Sequence, residues 1–271
     1  MNWTSGATAE ASAVHKRSMR SLIRPLSAAQ MIQIWEQGAS QHPLDRALLC
    51  LAWGCPDIPI ADLAKLPLGL RDAALLTVRE LTFGNQMGSQ SSCPQCGELL
   101  EFSLNVSDIR VVDLDRAMTE AEDGSIHHLH TDHWDLTFRL PTSLDLAAIA
   151  MTAPTQARTR LAQRCLLQAE QNGQPITLDA VSDGAIAHLS RYLGEADPQA
   201  EILLDLQCPA CQHQWQTLFD IVAFFWSELQ VQAQRLLQEV HVLARAYGWR
   251  ETDILAMSST RRQFYLELVS G

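Results

Sequence analysis

The sequences Cys93-Pro94-Gln95-Cys96 and Cys208-Pro209-Ala210-Cys211 decide how this chain is organised. Each is a Cys-x-x-Cys motif followed by residues that alternate between apolar and polar, which is typical of a half-buried β-strand. The two segments match at a constant offset of 115 positions, since 208 − 93 and 221 − 106 both equal 115, and only Phe102 lacks an apolar counterpart. The alternating positions are Leu100, Phe102, Leu104 and Val106 after the first motif, and Trp215, Thr217, Phe219 and Ile221 after the second. This internal repeat predicts two zinc knuckles, each a strand, a tight turn with two thiolates, and a second strand.

The repeat indicates one shared metal site. Zn²⁺ takes four ligands tetrahedrally, and two thiolates on such a turn can both face the same ion. Each knuckle supplies half of the ligands, so we expect Cys93, Cys96, Cys208 and Cys211 to bind one structural Zn²⁺ per chain. The 111 residues between Cys96 and Cys208 (208 − 96 − 1) far exceed the usual zinc-finger spacing, but two pseudo-symmetric halves are what a shared site needs. Because four thiolates leave no open position for water, we expect no metal-based catalysis.

Other uses of these cysteines fit the sequence less well. A thioredoxin-like redox motif should open a helix, whereas each motif here precedes a strand. A disulfide within each motif would require an oxidising compartment. His213 could replace one cysteine as a ligand, although its spacing better fits a solvated turn. We interpret the other three cysteines as buried small hydrophobic residues: Cys50, Cys55 and Cys165.

Composition limits the classes of function. The 271 residues are 47% hydrophobic and include 20 basic and 31 acidic residues, a net charge of −11. A negative field repels phosphate, which disfavours nucleic acid as a partner. No apolar run reaches the roughly 18 residues that a membrane span needs, so no direct membrane insertion is expected. The N-terminus lacks the apolar stretch of a secretory signal, which predicts a cytoplasmic protein.

Periodicity predicts an α+β fold with a helical N-terminal layer, two zinc-knuckle β-hairpins that form a composite zinc ribbon, and a long C-terminal helix. Helix signals begin at Ser27, Pro43 and Gly69. The remaining predicted elements are a β region over 126–140, helices over 143–171 and 180–193, a strand over 200–207, and the long helix over 219–247.

Three regions follow from this pattern. Residues 1–21 are expected to form a mobile N-terminal arm, and residues 22–218 a helical and β body. That body contains both zinc knuckles, over 93–110 and 201–218. Residues 219–271 form the C-terminal helical segment.

Two further clusters have competing interpretations. His127, His128, His130 and His133 could form a second metal site, but a surface hairpin is the simpler explanation. Phe219, Phe224, Phe225 and Trp226 suit core packing better than an exposed partner-binding surface. No phosphate-binding glycine loop, nucleophile elbow or His-Glu-x-x-His helix is present in the sequence, so we predict no catalytic residues and no small-molecule substrate.

The sequence resembles the baseplate proteins of T4-like phage tails and of related contractile injection systems. The C-terminal part of the resemblance comprises Cys208-Pro209-Ala210-Cys211, Phe219-Asp220-Ile221, Phe225-Trp226-Ser227-Glu228, Glu239-Val240-His241 and Tyr247-Gly248-Trp249. The N-terminal part comprises Leu66-Pro67, Arg71-Asp72, Arg79-Glu80, Phe83-Gly84 and Cys93-Pro94-Gln95-Cys96-Gly97. One departure is Gln212, where such proteins often have a glycine that supports a positive φ.

The resemblance implies a non-enzymatic component of a baseplate or hub, or a factor that assembles one, with other baseplate, tube or hub proteins as partners. It leaves open whether the protein stays in the finished particle. Two rival hypotheses remain. A zinc-ribbon regulator would bind nucleic acid through a basic stripe beside the knuckles. A metalloenzyme would use His128 and His130.

Overall fold

A computed structural model describes residues 18–115, 126–131 and 133–270 of the chain. Helices and three small antiparallel sheets share this part of the chain, which confirms the predicted α+β class. None of the helices described is both long and apolar enough to cross a membrane. Of the predicted N-terminal arm, residues 1–17 lie outside the described residues, while Met19–Leu22 forms a helical turn (α1) with Met19 buried.

The N-terminal helices begin and end where the local sequence allows it. Ser27 caps α2 (Ala28–Gly38) through a reciprocal capping box with Gln30, and Pro43 occupies the first turn of α3 (Pro43–Gly54). Gly84 ends α5 with a φ of 92°, a conformation that only glycine adopts without strain. The bounds are Ala28–Gly38 for α2, Pro43–Gly54 for α3, Ile60–Leu63 for α4 and Leu68–Phe83 for α5.

Two β-hairpins form separate two-stranded sheets. The first pairs β1 (Gln86–Ser92) with β2 (Leu99–Asn105), and the second pairs β7 (Ile202–Gln207) with β8 (Gln214–Phe219). Their registers repeat at the offset of 115, since Ser92 faces Leu99 and Gln207 faces Gln214. The sequence did not reveal β1 as an element by itself, because QMGSQSS is polar and does not alternate.

The segment between the hairpins contains a four-stranded sheet covered by helices. Its strands are, in order, β3 (Ile126–His130), β4 (Trp134–Arg139), β5 (Leu166–Gln171) and β6 (Gln174–Ile176). The prediction of one helix over 143–171 was wrong in two ways. The chain leaves the helical conformation between Ile149 and Pro154, since proline restricts the residue before it to extended conformations. Leu166–Gln171 is a strand that pairs with β4. The bounds are Val106–Ile109 (α6), Ile126–His130 (β3), Trp134–Arg139 (β4), Ser143–Ile149 (α7), Pro154–Cys165 (α8), Leu166–Gln171 (β5), Gln174–Ile176 (β6) and Asp183–Ala196 (α9).

The chain ends in the predicted long helix and two shorter ones. Asp220 caps the start of α10 (Ile221–Tyr247), and Gly248 ends it in the left-handed conformation. Glu251–Leu255 (α11) and Ser259–Ser270 (α12) pack back onto α10.

Three hydrophobic clusters hold these elements together. The first joins α1 to α5 with the bases of both hairpins and the first half of α10. The second lies within the segment between the hairpins, around Phe138 and Leu189. The third joins the end of α10 to α11 and α12.

A buried ion pair connects α5 and α10 within the first cluster. The Arg79 side chain, 2% exposed, donates two hydrogen bonds to the Glu228 carboxylate at 2.6 and 2.9 Å. It also donates to the backbone carbonyls of Gly84 and Gln86. One guanidinium therefore fixes α5, the start of the first hairpin and α10 relative to one another.

A second polar contact joins the first cluster to the segment between the hairpins. The Gly69 backbone N–H donates to the buried Asp197 carboxylate at 2.9 Å, and a side chain at Gly69 would collide with that carboxylate. Arg71 contacts both Asp72 and Ser143 nearby. Burial raises the pKa of Asp197 to about 6, with a further contribution from the Asp72 charge.

We expect Glu228→Ala to lower the free energy of unfolding by about 3–5 kcal/mol, because it leaves the buried Arg79 charge without its partner. Urea unfolding followed by circular dichroism measures this change. Asp57→Ala is the matched control, since it removes an exposed pair with Arg24 and should cost less than about 1 kcal/mol. Equal effects of the two substitutions would contradict the anchoring role of Arg79.

Candidate functional site

The two cysteine motifs form tight turns with the same hydrogen bonds. In the first, the Cys93 N–H donates to the Glu98 carbonyl at 2.8 Å, and the Gly97 N–H donates to the Cys93 carbonyl at 2.9 Å. The second turn repeats both bonds at 2.9 Å, from Cys208 to His213 and from Gln212 to Cys208. The predicted likeness of the two segments therefore extends to the backbone geometry of the turns.

The fold brings the four predicted cysteines together. The Sγ atoms of Cys93 and Cys211 lie 3.7 Å apart, and those of Cys96 and Cys208 lie 3.6 Å apart. All four sulfur atoms lie within 4.8 Å of one another. In both close pairs one sulfur comes from each hairpin, so the cluster spans the two otherwise separate sheets.

These distances suit a tetrahedral metal ion. Four sulfurs placed tetrahedrally at about 2.3 Å from Zn²⁺ are about 3.8 Å apart, close to the spacing observed here. A disulfide would require about 2.05 Å, so the thiols are unbonded. His213 lies outside this cluster, with its ring stacked on Trp215 at 5.9 Å. The arrangement can hold one metal ion with a complete set of thiolate ligands.

The cysteines differ in their tendency to ionise. Desolvation opposes ionisation of Cys93, but the N–H groups of Cys96 and Gln95 outweigh it and lower its pKa to about 7. The Glu98 N–H favours the Cys96 thiolate, yet the neighbouring sulfurs raise the pKa of Cys96 to about 12. Thiolates this close repel one another, so a cation among them is needed for all four to be ionised together.

The four clustered cysteines differ in burial, whereas the other three are all buried. Cys93 and Cys208 are buried, while Cys96 is exposed and Cys211 is half-buried at the tip of its hairpin. Cys50, Cys55 and Cys165 are buried in hydrophobic clusters, as predicted. Burial raises their thiol pKa values to about 12, 11 and 12, so they stay neutral.

The histidine cluster does not form a comparable site. Within the described residues, the four cysteines are the only group of at least three His, Cys, Asp or Glu side chains gathered closely enough to hold a metal. His128 and His130 share a face of β3, as predicted, with ring centroids 6.3 Å apart. The histidines instead contact separate neighbours: His127 stacks on Phe138, His128 bonds Thr137, His130 bonds Asp135 and His133 bonds Asn172.

The aromatic residues at the start of α10 are mainly core residues, as the simpler interpretation predicted. Phe225 and Trp226 are 1% and 8% exposed. Farther along the chain, Tyr247, Trp249 and Tyr265 pack against one another with ring centroids 4.4 to 5.7 Å apart. They fasten α12 to the end of α10.

Sequence reasoning missed the buried polar contacts of Arg79 and Asp197. The spacing of charged residues gave no signal, because Arg79 and Glu228 are 149 positions apart. An arginine at the buried face of an apolar helix such as α5 is the feature that could have indicated a buried partner.

The described part of the chain is thus an α+β protein in which two cysteine-bearing hairpins from distant parts of the sequence meet at their tips. A family model described as T4 bacteriophage base plate protein matches residues 51–226, which include both hairpins. The chain therefore belongs to the T4 baseplate protein family, which confirms the resemblance seen in the sequence. No curated protein and no solved structure matches the chain.

The residue that follows each cysteine motif differs between the two turns, and this difference generates a stability prediction. Gln212 adopts a φ of 63° at the position equivalent to Gly97, whose φ is 77°. We expect Gln212→Gly to raise the free energy of unfolding by about 0.5–1 kcal/mol, because glycine adopts this conformation without strain. The reciprocal change Gly97→Gln should lower it by about 1–2 kcal/mol. Urea unfolding of both variants measures this, and destabilisation by Gln212→Gly would contradict it.

Proposed function

We propose that this protein is a non-enzymatic structural or assembly component of the baseplate or hub of a contractile, phage-tail-like injection machine. The observation that carries the proposal is the family match over residues 51–226. The partners would be other baseplate, tube or hub proteins. The protein would be made in the cytoplasm and either incorporated into the particle or used during its assembly.

We further propose that Cys93, Cys96, Cys208 and Cys211 bind one structural Zn²⁺ and make the two hairpins a composite zinc ribbon. Sulfur separations of 3.6 and 3.7 Å across the hairpins support this, as does the equivalence of the two turns. The role of the ion would be structural, not catalytic. It would join hairpins that form separate sheets in the described part of the chain, and its four thiolate ligands would leave no site for a substrate.

The charges around the hairpins favour this role over the nucleic-acid alternative. Neither residues 86–109 nor residues 202–234 contain a lysine or arginine. The acidic residues Glu98, Glu101 and Asp205 belong to these segments, so a phosphate backbone would meet no cation there. A zinc-ribbon regulator would need the opposite charge.

We expect freshly purified protein to contain about one zinc ion per chain, and elemental analysis measures this content. Cys96→Ser should lose the metal and strongly lower the melting temperature, because metal binding contributes directly to folding free energy. Cys165→Ala changes a buried thiol in the second hydrophobic cluster and should keep the metal.

Wild-type protein reloaded with Co²⁺ provides a measurement that does not depend on a folded variant. It should show the visible absorption of tetrahedral cobalt bound by thiolates. Full zinc content in Cys96→Ser, or no bound metal in the wild type, would refute the site.

For the assembly role, we expect the tagged full-length protein to co-purify with sheath, tube or baseplate proteins, or its deletion to stop particle assembly. Mass spectrometry of purified particles and electron microscopy of the deletion strain measure these outcomes. Cys96→Ser should reduce incorporation, whereas Cys165→Ala should not. The proposal would be rejected if purified wild-type particles do not contain the protein and the deletion strain still assembles normal particles.

A further inference from the structure

An exposed groove lies between α7 and α8, away from the cysteine cluster. Its volume is about 510 Å³, and its lining residues include Met151, Gln156, Arg160 and Arg164 but no carboxylate. We call it the arginine groove.

One wall of the arginine groove is apolar. Ala148 and Met151 line the groove, and the Met151 side chain, in the turn after α7, is fully exposed. Leu144 and Ala147 are exposed on α7 beside this wall. Within α7, the i, i+3, i+4 spacing of Leu144, Ala147 and Ala148 is the pattern by which a helix buries one face, yet this face is open to solvent. A contiguous apolar strip of this kind marks a surface that another element can cover.

The other wall is positively charged. Helix α8, PTQARTRLAQRC, has three arginines and no acidic residue. Arg160 and Arg164 are four positions apart and therefore share a face, whereas Arg158 points to a different side of the helix. In the described part of the chain, Arg158 and Arg160 form no ion pair.

The buried carboxylate of Asp145 binds Arg164 in the last turn of α8 and offsets only part of the positive charge around it. Asp145 is 1% exposed and accepts hydrogen bonds from both Arg139 and Arg164. Burial disfavours its ionisation, but the hydrogen bonds from Arg139 and Thr142 outweigh that effect and lower the pKa of Asp145 to about 2. One negative charge thus faces two arginines, and Arg160, which has no ion-pair partner among the described residues, adds a further positive charge.

We infer that the arginine groove binds a short acidic amphipathic segment of another protein. Apolar side chains of that segment would cover Leu144, Ala148 and Met151, while its carboxylates would face Arg160 and Arg164. The charge of the groove complements such a segment, in contrast to the net charge of −11 of the whole chain. Nucleic acid fits less well, because the groove offers few cations and no aromatic side chain on which a base could stack.

The inference rests on the proposed assembly role, in which this protein binds partners. Its test, however, uses the isolated full-length protein and a synthetic probe. A failure to bind the probe is therefore distinguishable from a failure of the protein to join particles.

The probe is a fluorescent helical peptide of about 14 residues, or about four turns, with leucines along one face and glutamates on the other. Fluorescence anisotropy measures its affinity. We expect Arg160→Glu to weaken binding about tenfold or more, because it reverses a charge that faces the peptide. Arg158→Glu carries the same charge change on the other side of α8 and should alter the affinity by less than about threefold.

Methyl NMR of protein labelled at methionine locates the binding site. The peptide should shift the Met151 signal and leave that of Met87, which is buried in the first hairpin, unchanged. Equal weakening by Arg158→Glu and Arg160→Glu, or an unchanged Met151 signal, would overturn the inference. So would tighter, Arg160-dependent binding of a DNA oligonucleotide of equal charge, which would assign the groove to nucleic acid.

Discussion

The guanidinium of Arg79 is the contact on which the arrangement of the first cluster depends. It lies near the end of α5 and binds Glu228 on α10, the carbonyl of Gly84 just after α5, and the carbonyl of Gln86 at the start of the first hairpin. A buried charge tolerates little displacement, since each lost hydrogen bond leaves an uncompensated polar group in a region of low dielectric. This requirement gives the first hairpin and α10 a defined relative position, and the second hairpin leads directly into α10.

The two hairpins pack at their bases in the first hydrophobic cluster, and their tips bring the four cysteines together. Met87 and Leu104 in the first hairpin, and Ile202 and Phe219 in the second, occupy equivalent positions and pack in the same cluster. The pseudo-symmetry is thus a property of core packing as well as of the cysteine turns. A metal at the tips would complete a contact that packing alone already prepares.

The sequence predicted the helices with strong caps, the alternating strand β2 and the identity of the four clustered cysteines. These features are local, because a cap, a turn or a period of two can be recognised within a few residues. It failed at Leu166–Gln171, where pairing with β4 turned a segment predicted to be helical into a strand. It also missed the roles of Arg79 and Asp197, which depend on partners elsewhere in the fold. A strand before the first cysteine turn was predicted, but the polar residues of β1 did not define its bounds. The constant offset of 115 was the exception, since a repeat carries long-range information within the sequence itself.

The distance along the chain between the two cysteine turns has a consequence for biosynthesis. The ribosome adds about 5–20 residues per second, so the 111 residues between Cys96 and Cys208 (208 − 96 − 1) take roughly 6–22 s to synthesise. Throughout that interval the first cysteine pair has emerged without the second, and α10, which carries Glu228, does not yet exist. The segment between the hairpins has its own hydrophobic cluster and can fold during this time. The first hairpin reaches its final environment only near the end of translation, when both of its distant partners become available.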